Sequence, residues 1–65
     1  MNTQRFLLTA LDLPYNTVAE TTLNGHHYTV KVMVGGFEIT RDEEKTNTTD
    51  KELAKKIIVS YLRGK

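Results

Sequence analysis

His27-Tyr28-Thr29-Val30-Lys31-Val32-Met33-Val34-Gly35-Gly36-Phe37-Glu38-Ile39-Thr40-Arg41 is the stretch whose reading decides the fold. Tyr28, Val30, Val32 and Val34 alternate with His27, Thr29, Lys31 and Met33. A period of two in a run rich in β-branched residues is the pattern of a half-buried strand. Gly35-Gly36 comes next, and a glycine pair between two alternating runs marks a two-residue hairpin loop, because such loops need positive φ. Phe37 and Ile39 then resume the alternation against Glu38 and Thr40. A loop made of Gly35 and Gly36 sets Val34 opposite Phe37 and Val32 opposite Ile39, with the apolar side chains of both strands on one face.

Working outward, residues 16 to 23 carry three threonines and a valine and end at Asn24-Gly25, the strongest short hairpin signal. That loop pairs Leu23 with His26, Thr21 with Tyr28 and Ala19 with Val30. Three strands result, over 16–23, 26–34 and 37–42. Before them, Thr3 to Leu13 reads as a helix: Phe6, Leu7, Ala10 and Leu11 share a face, with Leu8 at its edge. Asn2 or Thr3 caps its start, and Pro14 ends it by restricting Leu13. After the strands, residues 42–48 contain no apolar side chain and read as a solvated connection. Thr49-Asp50-Lys51-Glu52 has the form of a capping box, with Asp50 in a first turn that favours negative charge. A second helix runs to about Leu62 with Leu53, Ala54, Ile57, Ile58, Tyr61 and Leu62 as its stripe. Arg63 and Gly64 are its stop signals. The expected fold is α+β in the order α-β-β-β-α, a single domain over 1–65. It is a three-stranded antiparallel meander with both helices on the face of Tyr28, Val30, Val32, Val34, Phe37 and Ile39, and the other face in water.

Sixty-five residues allow one domain with a small core. The initial Met and the compact pattern suggest a complete small protein. The chain has no cysteine, which fits a reducing compartment. No apolar run reaches membrane-spanning length and no basic-then-apolar leader opens the chain, so the expected location is the cytoplasm, with no membrane partner. The net charge of +1 argues against a strongly basic nucleic-acid or membrane binder. Its distribution is uneven: residues 50–65 carry five basic and two acidic side chains, +3, while residues 1–49 carry four and six, −2.

The element order, Tyr28-Thr29-Val30-Lys31-Val32-Met33-Val34-Gly35-Gly36 and Leu13-Pro14-Tyr15 together resemble a double-stranded RNA-binding domain over nearly the whole chain. That family reads A-form duplexes by shape, across two minor grooves and the phosphates between them. The resemblance implies contacts from helix one, from the loop between the first two strands and from lysines at the start of helix two. Matching the apolar stripes puts Lys51 on the second lysine of the family's Lys-Lys-x-Ala-Lys, while Asp50 and Ala54 stand where the others would be, with Lys55 beside the third. The family's longer loop is reduced to Asn24-Gly25, with His26 or His27 in the place of its histidine. Gln4 and Arg5 are the groove-facing candidates of helix one. A weaker resemblance is to the three-stranded arm-binding domains of phage and transposon integrases, which read DNA with an open sheet face. The corresponding face here holds Val18, Glu20, Thr22, His27, Thr29, Lys31, Met33, Glu38, Thr40 and Asp42, a mixed and slightly acidic set.

Each candidate has a plain alternative. Lys51, Lys55, Lys56 and Arg63 contact phosphate in one reading and are a solvated face with a Glu52–Lys56 pair in the other. His26 and His27 point to opposite faces of one strand and have no third ligand nearby, so no metal or other cofactor is expected. Val59 amid Glu52, Lys55, Lys56 and Arg63, and Val18 with Met33 on the open face, are contact points for a protein partner or stray apolar residues. Glu43 and Glu44 would weaken phosphate attraction. Asn47-Thr48-Thr49 fits a glycosylation sequon that has no secretion signal to serve it. No nucleophile–base set or phosphate loop is present, so no enzyme is expected. The sequence thus points to a non-enzymatic, weak duplex-RNA-binding module. The alternatives are a protein-interaction module on the same fold, such as a phage or mobile-element regulator or inhibitor, monomeric or homodimeric, and a DNA binder acting through the open face.

Overall fold

A computed structural model describes residues 2–63. The elements are α1 (Thr3–Ala10), β1 (Thr17–Leu23), β2 (His26–Met33), β3 (Gly36–Arg41), β4 (Glu44–Thr48) and α2 (Lys51–Leu62). The strands form one open antiparallel sheet in the order β1-β2-β3-β4. The α+β layout read from the sequence is present, with a fourth strand where a solvated connection was expected. β4 has no apolar residue, yet Thr46 and Thr48 alternate with Lys45 and Asn47 and pair with Ile39 and Phe37. Threonine suits a pleated, half-buried surface without being apolar, and Thr46 Oγ1 lies 2.6 Å from the Tyr61 hydroxyl on α2. Asp42 and Glu43 form the preceding turn, with Asp42 at φ 54°.

The β1–β2 hairpin has the expected register: Leu23 faces His26, Thr21 faces Tyr28 and Ala19 faces Val30. Asn24 and Gly25 take φ of 53° and 81°, as this tight turn requires. The β2–β3 turn lies one residue earlier than expected. Its loop is Val34-Gly35, so Val32 faces Phe37 and Val30 faces Ile39. Gly35 at φ 85° supplies the positive φ, which suffices for a type II-like turn. Gly36 is instead the first residue of β3, where a Cβ would lie 3.0 Å from the Thr48 carbonyl oxygen of β4. Val34 consequently leaves the core face and is 76% exposed at the loop tip.

Both helices cover the face bearing Ala19, Tyr28, Val30 and Ile39. These residues form one core with Leu7, Ala10 and Leu11 of the α1 segment and Ala54 and Ile58 of α2. Full burial of side chains such as Leu7, Val30 and Ile58 stabilises by about 1.5–3 kcal/mol each. α1 is shorter than expected. Asn2 caps it by accepting the Gln4 and Arg5 amides at 2.8 and 3.3 Å. Beyond Ala10 the chain tightens, with Asp12 and Leu13 amides donating to the carbonyls of Thr9 and Ala10, a 3₁₀-like turn imposed before Pro14. The cap of α2 is Asp50, not Thr49: its carboxylate accepts the Glu52 and Leu53 amides at 2.9 and 3.4 Å. Thr48 Oγ1 accepts the Asp50 amide at 3.1 Å, joining β4 directly to the helix. Leu53, in the expected stripe, is 47% exposed and lies at its edge, whereas Ala54 and Ile58 are buried. Gly64, read as a stop signal, lies outside the described residues.

Candidate nucleic-acid interface

The basic residues of α2 divide between two surroundings. Lys51, in the first turn, reaches back across the end of α1 and forms an ion pair with Asp12. Its hydrogen bond and charge hold the Asp12 carboxyl below the ordinary value of 3.8. Tyr15, 66% exposed, lies in the same shallow groove as this pair. Lys55, Lys56 and Arg63 instead share the outer face of α2 with Ser60 and Val59, and together these five line a shallow groove. The spacing of four residues from Lys55 to Val59 to Arg63, and from Lys56 to Ser60, stacks them along one side of a helix. Lys55 Nζ is 3.1 Å from Glu52 Oε2, so the pair on this face is Glu52–Lys55 rather than Glu52–Lys56. Val59 is half-buried at the centre of the groove rather than fully exposed.

His26 sits at the other end of the sheet with both ring nitrogens engaged. Arg41 Nη2 is 3.0 Å from His26 Nε2, and Asp42 Oδ2 is 2.7 Å from Nδ1. A guanidinium can only donate, so Nε2 accepts and the ring proton sits on Nδ1, donated to Asp42. Asp42 Oδ1 also accepts the His27 amide at 2.9 Å. That backbone bond first, and the His26 ring second, hold the Asp42 carboxyl below 3.8. The cluster braces the β3–β4 turn against the start of β2. Gln4 and Arg5 are exposed near the start of α1, where Arg5 borders an apolar slot between α1 and β1.

The open sheet face carries Lys31 beside Glu38 and Glu20 beside His27, the latter pair 3.7 Å apart. β4 adds Lys45 and Asn47 to it, with Lys45 3.8 Å from Glu38. Asp42 is in the turn and not on this face. Val18 and Met33 are diagonal neighbours there, across the sheet from the helices, so they and Val59 occupy different surfaces. The structure therefore brings Lys55, Lys56 and Arg63 together and leaves Lys51, His26 and Gln4 with Arg5 in three other places. Reading the sequence alone missed Ser60, although its place four residues after Lys56 was a sufficient signal. It also missed Asp12 as the Lys51 partner, because that contact joins residues 39 positions apart. Among the described residues no three His, Asp or Glu side chains gather as metal ligands, and no helix is long and apolar enough to cross a membrane. Comparison with protein-family models, curated proteins and solved structures finds no match.

Proposed function

We propose that the protein is a non-enzymatic nucleic-acid-binding module that holds duplex RNA weakly, through phosphate contacts from the outer face of α2. The observation that carries this reading is the grouping of Lys55, Lys56, Ser60 and Arg63 around one shallow groove. Lysine and arginine are phosphate donors, a serine hydroxyl adds a neutral one, and no carboxylate lines the groove. The resemblance to double-stranded RNA-binding domains makes a duplex the first ligand to try. The open sheet face supports DNA binding less well, because each of its lysines has Glu38 beside it.

Three cationic groups neutralise at most three phosphates, so the logarithm of the binding constant should fall with log salt at a slope between about −2 and −3. Fluorescence anisotropy with a labelled RNA duplex, titrated at several salt concentrations, measures this. Lys56→Glu combined with Arg63→Glu abolishes binding. Lys51→Ala changes it little, since Lys51 stands outside this groove, against Asp12. A complete lack of binding at low salt, or binding indifferent to the double substitution, overturns the proposal.

A further inference from the structure

The two sheet edges are guarded differently. β4 presents Glu44, Lys45 and Asn47, and charged residues are a common protection against edge pairing. β1 has no proline or lysine in its seven residues and a single charge, Glu20. The phase of the β1–β2 ladder identifies the free backbone groups. A two-residue loop makes the flanking pair Leu23–His26 a hydrogen-bonded one, so Leu23, Thr21, Ala19 and Thr17 bond inward to β2. The amides and carbonyls of Val18, Glu20 and Thr22 point outward, and among the described residues no strand pairs with them.

A second feature lies along the same edge. Phe6, Ala10 and Leu13 of the α1 segment, with Ala19 of β1, line an almost wholly apolar slot of about 220 Å³, rimmed by Arg5 and Thr9. It opens beside β1 on the core side of the sheet, where a further strand would place alternate side chains. An added strand gains affinity from main-chain bonds and specificity from such side-chain pockets.

We propose that a second copy of this chain is the occupant, adding its own β1 antiparallel so that two four-stranded sheets become one. Matching faces and matching outward groups leave few registers. Pairing Glu20 with Glu20 of the second copy opposes like charges directly, which is unfavourable. Pairing Ala19 with Ala19 leaves Leu23 beyond the strand opposite. The register centred on Thr21 has neither fault. Glu20 bonds reciprocally with Thr22 of the second copy, and each Leu23 stands opposite an Ala19, at the mouth of the slot. Such non-hydrogen-bonded pairs hold side chains closest. Each Glu20 then lies across Thr22 from His27 of the other copy, because Thr22 neighbours His27 on β2. The interface is isologous, closes after two copies, and does not involve the basic face of α2.

Sedimentation velocity over a concentration series, beside a mixed sample of labelled and unlabelled chain, tests this. A monomer–dimer equilibrium is expected, with an intermolecular Hα–Hα nuclear Overhauser effect between the two Thr21 residues at the symmetry axis. Thr22→Pro removes only an outward amide and leaves the intrachain ladder whole. Two bonds are lost per dimer, so association weakens about 5- to 150-fold while the circular dichroism spectrum is retained. Thr9→Glu, which puts a carboxylate at the slot's rim, weakens it also. A chain that stays monomeric up to about 1 mM, or a dimer without the Thr21 contact, overturns the proposal.

Discussion

Gly36→Ala tests whether β4 is part of the sheet. Gly36 opens β3 opposite Met33, and a Cβ there would meet the Thr48 carbonyl oxygen at 3.0 Å and Thr49 Cγ2 at 3.7 Å. The nearest atom is backbone, so no side chain can swing aside. The ladder phase set by the Asp42-Glu43 turn makes Phe37–Thr48 a hydrogen-bonded pair. Moving the Thr48 carbonyl therefore stretches the bond it accepts from the Phe37 amide. Overpacking by one carbon costs about 1–3 kcal/mol. The smaller unfolded-state entropy of alanine returns about 0.4–1 kcal/mol. A net loss of about 1 kcal/mol lowers the Tm of so small a domain by about 4–8 °C. Thermal unfolding measures the total, and amide hydrogen exchange locates it. Phe37 and Ile39 amides should exchange faster in the variant, while the Thr21 amide, bonded to β2, keeps the protection that global unfolding allows. A variant as stable as the parent, with Phe37 exchange unchanged, would show that the Thr48 carbonyl is not held against β3.

Ile58, 1% exposed at the centre of the core, should lose about 2–5 kcal/mol of stability on truncation to alanine. On a chain of this size that leaves a substantial unfolded fraction, read by urea titration. Asp42→Asn should change the acid limb of the stability curve. The folded Asp42 carboxyl titrates below its ordinary value of 3.8, so its contribution is present at neutral pH and disappears as the pH falls through the folded value. The stability advantage of the parent over Asp42→Asn should therefore shrink as the pH falls below 3.8. An advantage independent of pH would mean that Asp42 acts through its shape alone.

Legibility in the sequence followed the chemistry of each element. Asn24-Gly25 is almost self-sufficient, because few other pairs tolerate two successive residues at positive φ, so the β1–β2 register could be read outright. Gly35-Gly36 was ambiguous. A loop needs positive φ, but a glycine is also demanded where two backbones approach closely, and here adjacent glycines serve one need each. β4 is hidden in the sequence because its alternation lies in threonines and not in apolar residues. Thr46 is half-buried and bonds Tyr61 through its hydroxyl, so alternation was present in shape without being present in hydropathy. Asp50 and Thr49 are both good caps, and only the path from β4 chose between them. The candidate site was half legible. Helical spacing grouped Lys55, Lys56 and Arg63, whereas the withdrawal of Lys51 by Asp12 and of His26 by Asp42 and Arg41 depends on tertiary contacts that no local pattern encodes.

The basic face of α2 and the free edge of β1 are separate features, yet together they make a quantitative prediction. A two-fold axis through the Thr21 pair stands perpendicular to the sheet, because only then do the faces of both sheets match. All four helices would lie on one side. α1 packs on β1 and β2, and α2 on β3 and β4, so the two α2 faces would stand on the same side, three to four strands out from the axis in each direction. With strands about 4.8 Å apart, they would be separated by roughly 30 Å. One duplex lying over the dimer could then meet both, and the number of neutralised phosphates would double. The salt slope would steepen from between about −2 and −3 to between about −4 and −6. Thr22→Pro, which touches no basic residue, should halve the slope of the parent when both are measured at a concentration above the parent's dimer dissociation constant and below the variant's. If the two slopes agree while the parent is demonstrably dimeric, the two α2 faces do not share one duplex, and each copy binds alone.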